Sequence, residues 1–244
     1  MDISTARPLG TRPQRRRRSR PLTLWIVGLV AALVVAGFAR TFFLRPWIAG
    51  PPLTRLAIVH GVVMSLWVVL FATQAWLVRR NNVAMHRRLG VLGMLLVPLM
   101  LGLGLVMAVQ AMRAGRPLIP GVTPQQFLIV PLCNIVLFSA LAGTGLWLRK
   151  RPQAHRRLML LALLSLLPPA IARIPLDLVR AGGLPLVMGV GSLIILGCAL
   201  RDAAVNRRLH PAFVYGGLPA ILAMPASLVI ARTPWWPQLA GLLM

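Results

Sequence analysis

Acidic side chains are almost missing from this chain. Its 244 residues include Asp2, Asp177 and Asp202 and no glutamate, against 27 lysines and arginines. Charged residues are 12% of the total, about half of what a soluble domain carries. That shortage excludes an ordinary soluble globule. No polar stretch is longer than the arm at the start, which leaves no room for a separate soluble domain. One acid among the apolar runs is little material for a proton-driven pump. Glycine-rich phosphate loops, His-Glu-x-x-His, Cys-x-x-Cys-His and the serine elbow are all absent. The two cysteines, Cys133 and Cys198, fall in apolar runs at different depths, so a disulfide is not expected, and each reads as a small hydrophobe.

What the chain has instead is apolar sequence: 58% of its residues are hydrophobic and its mean hydropathy is +0.78. A helix that spans a membrane needs about 20 apolar residues. Seven runs of that kind are predicted, at 22–44, 56–78, 89–112, 125–148, 158–179, 184–200 and 212–231. The expected fold is therefore all-α, an integral membrane bundle of about seven transmembrane helices, with residues 22–244 forming one polytopic domain. Residues 1–21 read as a disordered, basic, cytoplasmic arm. The arginine run in that arm, followed by an apolar stretch, resembles a secretory signal. The stretch is long, the cleavage site is weak and more spans follow, so it reads as an uncleaved first helix.

A net charge of +24 on a soluble face would suggest nucleic acid. Here the charges sit in short clusters between apolar runs, which points to the anionic headgroups of a bilayer and away from nucleic acid. The heavy clusters alternate. Residues 15–18 precede helix 1; Arg79, Arg80, Arg87 and Arg88 lie between helices 2 and 3. Arg149, Lys150, Arg151, Arg156 and Arg157 lie between helices 4 and 5, and Arg201, Arg207 and Arg208 between helices 6 and 7. The other connections carry fewer: Arg40, Arg45 and Arg55, then Arg113 and Arg116, then Arg180. Seven spans with a cytoplasmic N-terminus produce this alternation, and the expected location is the bacterial cytoplasmic (inner) membrane.

Two of the four histidines open the same tetrapeptide. His-Arg-Arg-Leu starts at His86 and again at His155, each time before a long apolar run, and His210 holds the matching place before helix 7. After helix 1 the chain thus reads as three helical hairpins, with helices 2–3 and 4–5 a candidate duplication. Arginines at a helix N-terminus oppose the helix dipole at about 0.3–1 kcal/mol each, and an anionic inner leaflet returns about 1 kcal/mol per arginine. Topology can therefore explain the arginines. It does not explain the histidines. One reading makes His86, His155 and His210 interfacial caps of helix starts. The other makes them converge as haem b or copper ligands, or as a proton relay, with Met85 beside His86 suited to a soft metal.

A second constellation is expected on the opposite side. Read as one fifth helix, 158–179 puts Arg173 and Asp177 four residues apart on one face. His60 lies near the start of helix 2 and Asn134 two to three turns into helix 4. His60, Asn134, Arg173 and Asp177 are the candidate ligand pocket, open to the outside. A charge at mid-bilayer costs roughly 2.5–3.5 kcal/mol, and an i,i+4 pair recovers only about 0.2–0.5 kcal/mol. Such a pair needs further partners, water or a ligand, unless both residues reach the interface. Pro168 and Pro169, with Pro175, would bend that helix. Trp47, Trp235 and Trp236 read as an outer aromatic belt.

With "HGVVMSLWVVLFATQAWL", "HRRLG" and "HRRLML", the chain resembles a group of bacterial polytopic membrane proteins with repeated His-Arg-Arg-Leu loop motifs. "AHRRLML" is more weakly similar to small membrane proteins of terminal-oxidase assembly. Neither resemblance implies a catalytic role for any residue. Three functional expectations follow: a binder of a small molecule, lipid headgroup or quinone in the outer pocket; a haem- or copper-linked redox or oxidase-assembly protein using the inner histidines; or a structural subunit beside a membrane-protein partner or a second copy.

Overall fold

The computed structural model describes residues 22–115 and 121–243. The arm at 1–21, and Arg116 with it, lie outside the described residues. The rest is a bundle in which seven helices are long and apolar enough to cross a membrane. In chain order the α-helices are α1 (Leu22–Phe38), α2 (Arg55–Arg79), α3 (Val83–Arg113), α4 (Pro124–Phe127), α5 (Ile129–Trp147), α6 (Pro152–Ser165), α7 (Leu167–Ile171), α8 (Asp177–Asn206), α9 (Leu218–Ala231) and α10 (Trp235–Gly241). No strand occurs among the described residues.

The hairpins form where local signals place them. Thr54 caps α2 by accepting from the Ala57 amide at 3.2 Å. The turn into α3 passes through Asn81 at φ +58°, a left-handed position that asparagine tolerates. Asn82 then caps α3, accepting from the Met85 amide at 3.1 Å. Pro152 opens α6 at a position where its missing N–H is no loss. α2 packs along α3 and α5 along α6, as the repeated tetrapeptide suggested.

The fifth apolar run corrects the expectation. It does not form one helix to residue 179. α6 gives way at Leu166 to the short α7, helical structure stops at Ile171, and a new helix starts at Asp177. Pro168 and Pro169 sit in the first turn of α7, where prolines are tolerated. Pro175 disfavours helix at the residue before it, and the Asp177 carboxylate suits the N-terminus of α8. Arg173 and Asp177 therefore do not share a helix face. α8 itself kinks at Gly183, with φ +52° and ψ −145°, a conformation open to glycine.

The α6–α7 span is the most enclosed of the seven and has the lowest mean hydropathy. It needs less apolar surface because protein, not lipid, surrounds it. Leu161, Ala162, Leu163 and Leu164 are all buried. Trp67 of α2 meets Phe138 of α5 edge to face at 5.2 Å, a geometry favoured by the ring quadrupoles. α1 lies against α7 so closely that a β-carbon on Gly37 would clash with the Ala170 carbonyl oxygen. At the end of the bundle holding Arg113, Met112, Leu128 and Trp236 form a second cluster. Trp236 is buried there and donates from Nε1 to the Gln125 carbonyl at 2.9 Å. Only Trp47 and Trp235 of the expected aromatic belt stand exposed.

Candidate functional site

The two tetrapeptide copies occupy the same register. His86 is the fourth residue of α3 and His155 the fourth of α6. Because the two hairpins pack side by side, the imidazoles meet: their ring centres are 6.3 Å apart, with planes at 80°. Neither histidine caps its own helix. Asn82 caps α3, and α6 has no side-chain cap. The His155 Nδ1 instead lies 2.7 Å from the Gly145 carbonyl oxygen of α5. A carbonyl only accepts, so Nδ1 carries a proton and points away from any metal, which leaves Nε2 as the nitrogen that could ligate. α5 and α6 are close at Gly145: a β-carbon there would stand 2.9 Å from the Met159 sulfur.

Gln74 of α2 joins this junction, donating from Nε2 to the His86 carbonyl at 3.0 Å. Two atoms at the junction are buried without a partner, the His86 Nδ1 and the Gln74 Oε1. A buried polar atom left unpaired costs about 1–3 kcal/mol. The junction thus brings the His155 imidazole together with two unsatisfied polar atoms, all at one end of the bundle. The position of Gln74 five residues before Arg79, near the basic end of helix 2, was the available signal that it belongs here.

His210 stands apart from this pair. Its Nδ1 accepts from the Ala212 amide at 3.1 Å, which is a local cap at the entry to the last span. No group of three or more His, Cys, Asp or Glu side chains is close enough to hold a metal among the described residues. His210 lies near Arg157 and Asp202, outside the spans. Burial first, and then the positive field of Arg157, hold its imidazole below the ordinary range, with Asp202 acting in the other direction.

Asp202 is the residue that sequence reasoning named only as an acid. It accepts a two-pronged contact from Arg157, Nε to Oδ2 at 2.9 Å and Nη2 to Oδ1 at 2.8 Å. Arg157 is buried and also donates from Nη1 to the Gln153 backbone and side chain. Arg156 approaches the same carboxylate at 3.7 Å. This network ties the start of α6 to the end of α8. With the His86–His155 contact, it brings the basic clusters of three connections to one end of the bundle.

The four residues of the other candidate pocket separate. Asp177 is fully exposed and pairs with Arg180 at 3.6 Å, not with Arg173. Asn134 lines a cavity of about 40 Å³ together with Ser165, Ser192 and Cys133. That cavity has room for a water or two, and neither His60 nor Arg173 lines it. His60 and Arg173 remain together, close enough for their charges to act on each other. Comparison of the chain with family models, curated proteins and solved structures finds no match to any of them.

Proposed function

We propose that this multi-pass membrane protein binds a transition-metal centre between His86 and His155 and works in redox chemistry or in the assembly of a redox enzyme. The observation that carries the reading is the 6.3 Å separation of the two rings. With metal–nitrogen bonds of about 2.0–2.1 Å, two imidazoles on opposite sides of one metal have ring centres about 6.4 Å apart. At a tetrahedral angle the same bonds bring the centres to about 5.2 Å. The observed separation leaves room for one metal ion, which His86 and His155 would hold between them and which, as haem iron or copper, would supply one-electron chemistry. The Gly145 carbonyl supports His155 in the way a second partner orients a ligating histidine. The likeness of "AHRRLML" to oxidase-assembly proteins points the same way. In this reading the basic end of the bundle faces the cytoplasm of a bacterial cell and contacts anionic headgroups, with the site just inside that surface.

The test is the metal and haem content of detergent-purified full-length protein, with His86→Ala, His155→Ala and His210→Ala compared to the parent chain. The first two changes should each remove the bound group, and His210→Ala should leave it. Retention of the full complement after both His86 and His155 are replaced would overturn the proposal.

A further inference from the structure

A different observation concerns the opposite end of the bundle. The chain has three acids: Asp202 is engaged by Arg157 and Arg156, Asp177 by Arg180, and Asp2 lies outside the described residues. Among the described residues, Arg173 has no carboxylate partner. Its Nη1 donates to the Pro169 carbonyl at 2.8 Å, an acceptor freed where α7 ends. Its guanidinium also covers the Phe38 ring at 5.0 Å. A guanidinium has five N–H donors in a fixed fork, so most of this one is left for an external acceptor.

The surroundings are built for close approach. After α1 the chain makes a π-helical turn, Ala39–Phe43. That turn lays Phe42 on Gly61, where a β-carbon would clash with the ring. Gly61 follows His60, whose Nδ1 is buried and has no hydrogen-bond partner. Arg173 thus lies on Phe38 at the end of α1, while Phe42, one turn further on, lies on the residue next to His60. The His60 imidazole is within reach of the Arg173 charge, so a cationic fork and an unpaired imidazole nitrogen stand in one neighbourhood.

We infer that Arg173 and His60 form a binding site for a phosphate group, with Phe38 and Phe42 as its apolar wall. The guanidinium fork matches two phosphate oxygens, the imidazole supplies one further hydrogen bond, and the rings suit the first carbons of an attached chain. The phosphate belongs either to a phospholipid headgroup or to a free ion, and the experiment separates these.

Full-length protein in a non-ionic detergent is titrated with short-chain phosphatidylglycerol, short-chain phosphatidylcholine and inorganic phosphate, with thermal unfolding as the readout. The parent chain should be stabilised in a saturable way by phosphatidylglycerol. Arg173→Gln should weaken its apparent affinity at least tenfold, and Arg173→Lys, which keeps the charge but loses the fork, by a smaller factor. His60→Gln should also weaken it. Arg180→Gln, an exposed arginine of the same end, should leave it unchanged. Inorganic phosphate acting alone assigns the site to the free ion; phosphatidylglycerol alone assigns it to the lipid. The inference fails if neither probe shifts the parent chain, if Arg173→Gln and Arg173→Lys respond as the parent does, or if Arg180→Gln loses as much as Arg173→Gln.

Discussion

Arg88 and Arg157 hold the same place in the repeated tetrapeptide, yet their replacement should have very different consequences. The Arg157 side chain is 5% exposed and Asp202 15% exposed, with contacts of 2.8 and 2.9 Å between them. Arg88 is exposed and has no carboxylate partner among the described residues. Removing one member of a buried ion pair leaves the other charge uncompensated, at about 3–5 kcal/mol. Arg157→Met should therefore destabilise by about that amount, with loss of the two Gln153 contacts included. For a chain of this length, 1 kcal/mol corresponds to roughly 2–4 °C of melting temperature, so a fall of about 6–20 °C is expected. Arg88→Met should stay within about 0.5 kcal/mol, as surface changes usually do. Replacing both partners, Arg157→Met with Asp202→Leu, should recover most of the loss, since an apolar pair of similar size is often neutral. Thermal unfolding of the three variants and the parent in one detergent is the assay. Equal melting points for Arg157→Met and Arg88→Met would refute the reasoning, because both arginines would then serve only membrane topology.

Gly37→Ala should cost about 1–3 kcal/mol, the range for an overpacked contact, because its new methyl would clash with the backbone oxygen of Ala170; a melting curve unchanged from the parent would contradict the α1–α7 packing. Trp67→Ala should cost about 3–5 kcal/mol, since the side chain is 1% exposed against Phe138, and thermal unfolding measures it. The His210 imidazole is held below its ordinary range, so the unfolded chain takes up the proton first. Its contribution to stability is full above pH about 6.5 and is lost as the pH falls through the lower folded value. His210→Asn, which can still accept from the Ala212 amide, should flatten the dependence of melting temperature on pH below about 6.5.

The bundle was largely legible because hydrocarbon imposes a simple length rule. Four of the seven spans lie within a few residues of their apolar runs; α3 starts earlier than its run, and α8 extends beyond its run at both ends. The fifth run failed at its far end. Apolar length alone could not see that Pro175 and Asp177 together mark a helix start, so Arg173 and Asp177 were put on one face they do not share. The kink at Gly183 explains why the sixth apolar run was read only from residue 184. At the histidine junction the sequence supplied the repeat and therefore His86 and His155. It could not supply their distance, which depends on how two hairpins pack. Gln74 and Gly145 were missed as members for the same reason, since each reaches its partner across helices, and so does Asp202 in its separate network with Arg157. His210 shared the spacing but not the contact, because its nitrogen is used locally by Ala212. The aromatic belt failed at Trp236 because α10 folds back on α4 and buries it.

The measurement closest to the central claim is an optical spectrum of the purified full-length protein, oxidised and dithionite-reduced, with metal analysis of the same sample, after expression with haem and copper supplied. If His86 and His155, with ring centres 6.3 Å apart, hold a metal centre, the spectrum shows a Soret band with a sharp reduced α-band, or the sample holds about one copper per chain. A colourless sample free of metal would contradict the account and leave His86 and His155 as a packing contact between two hairpins.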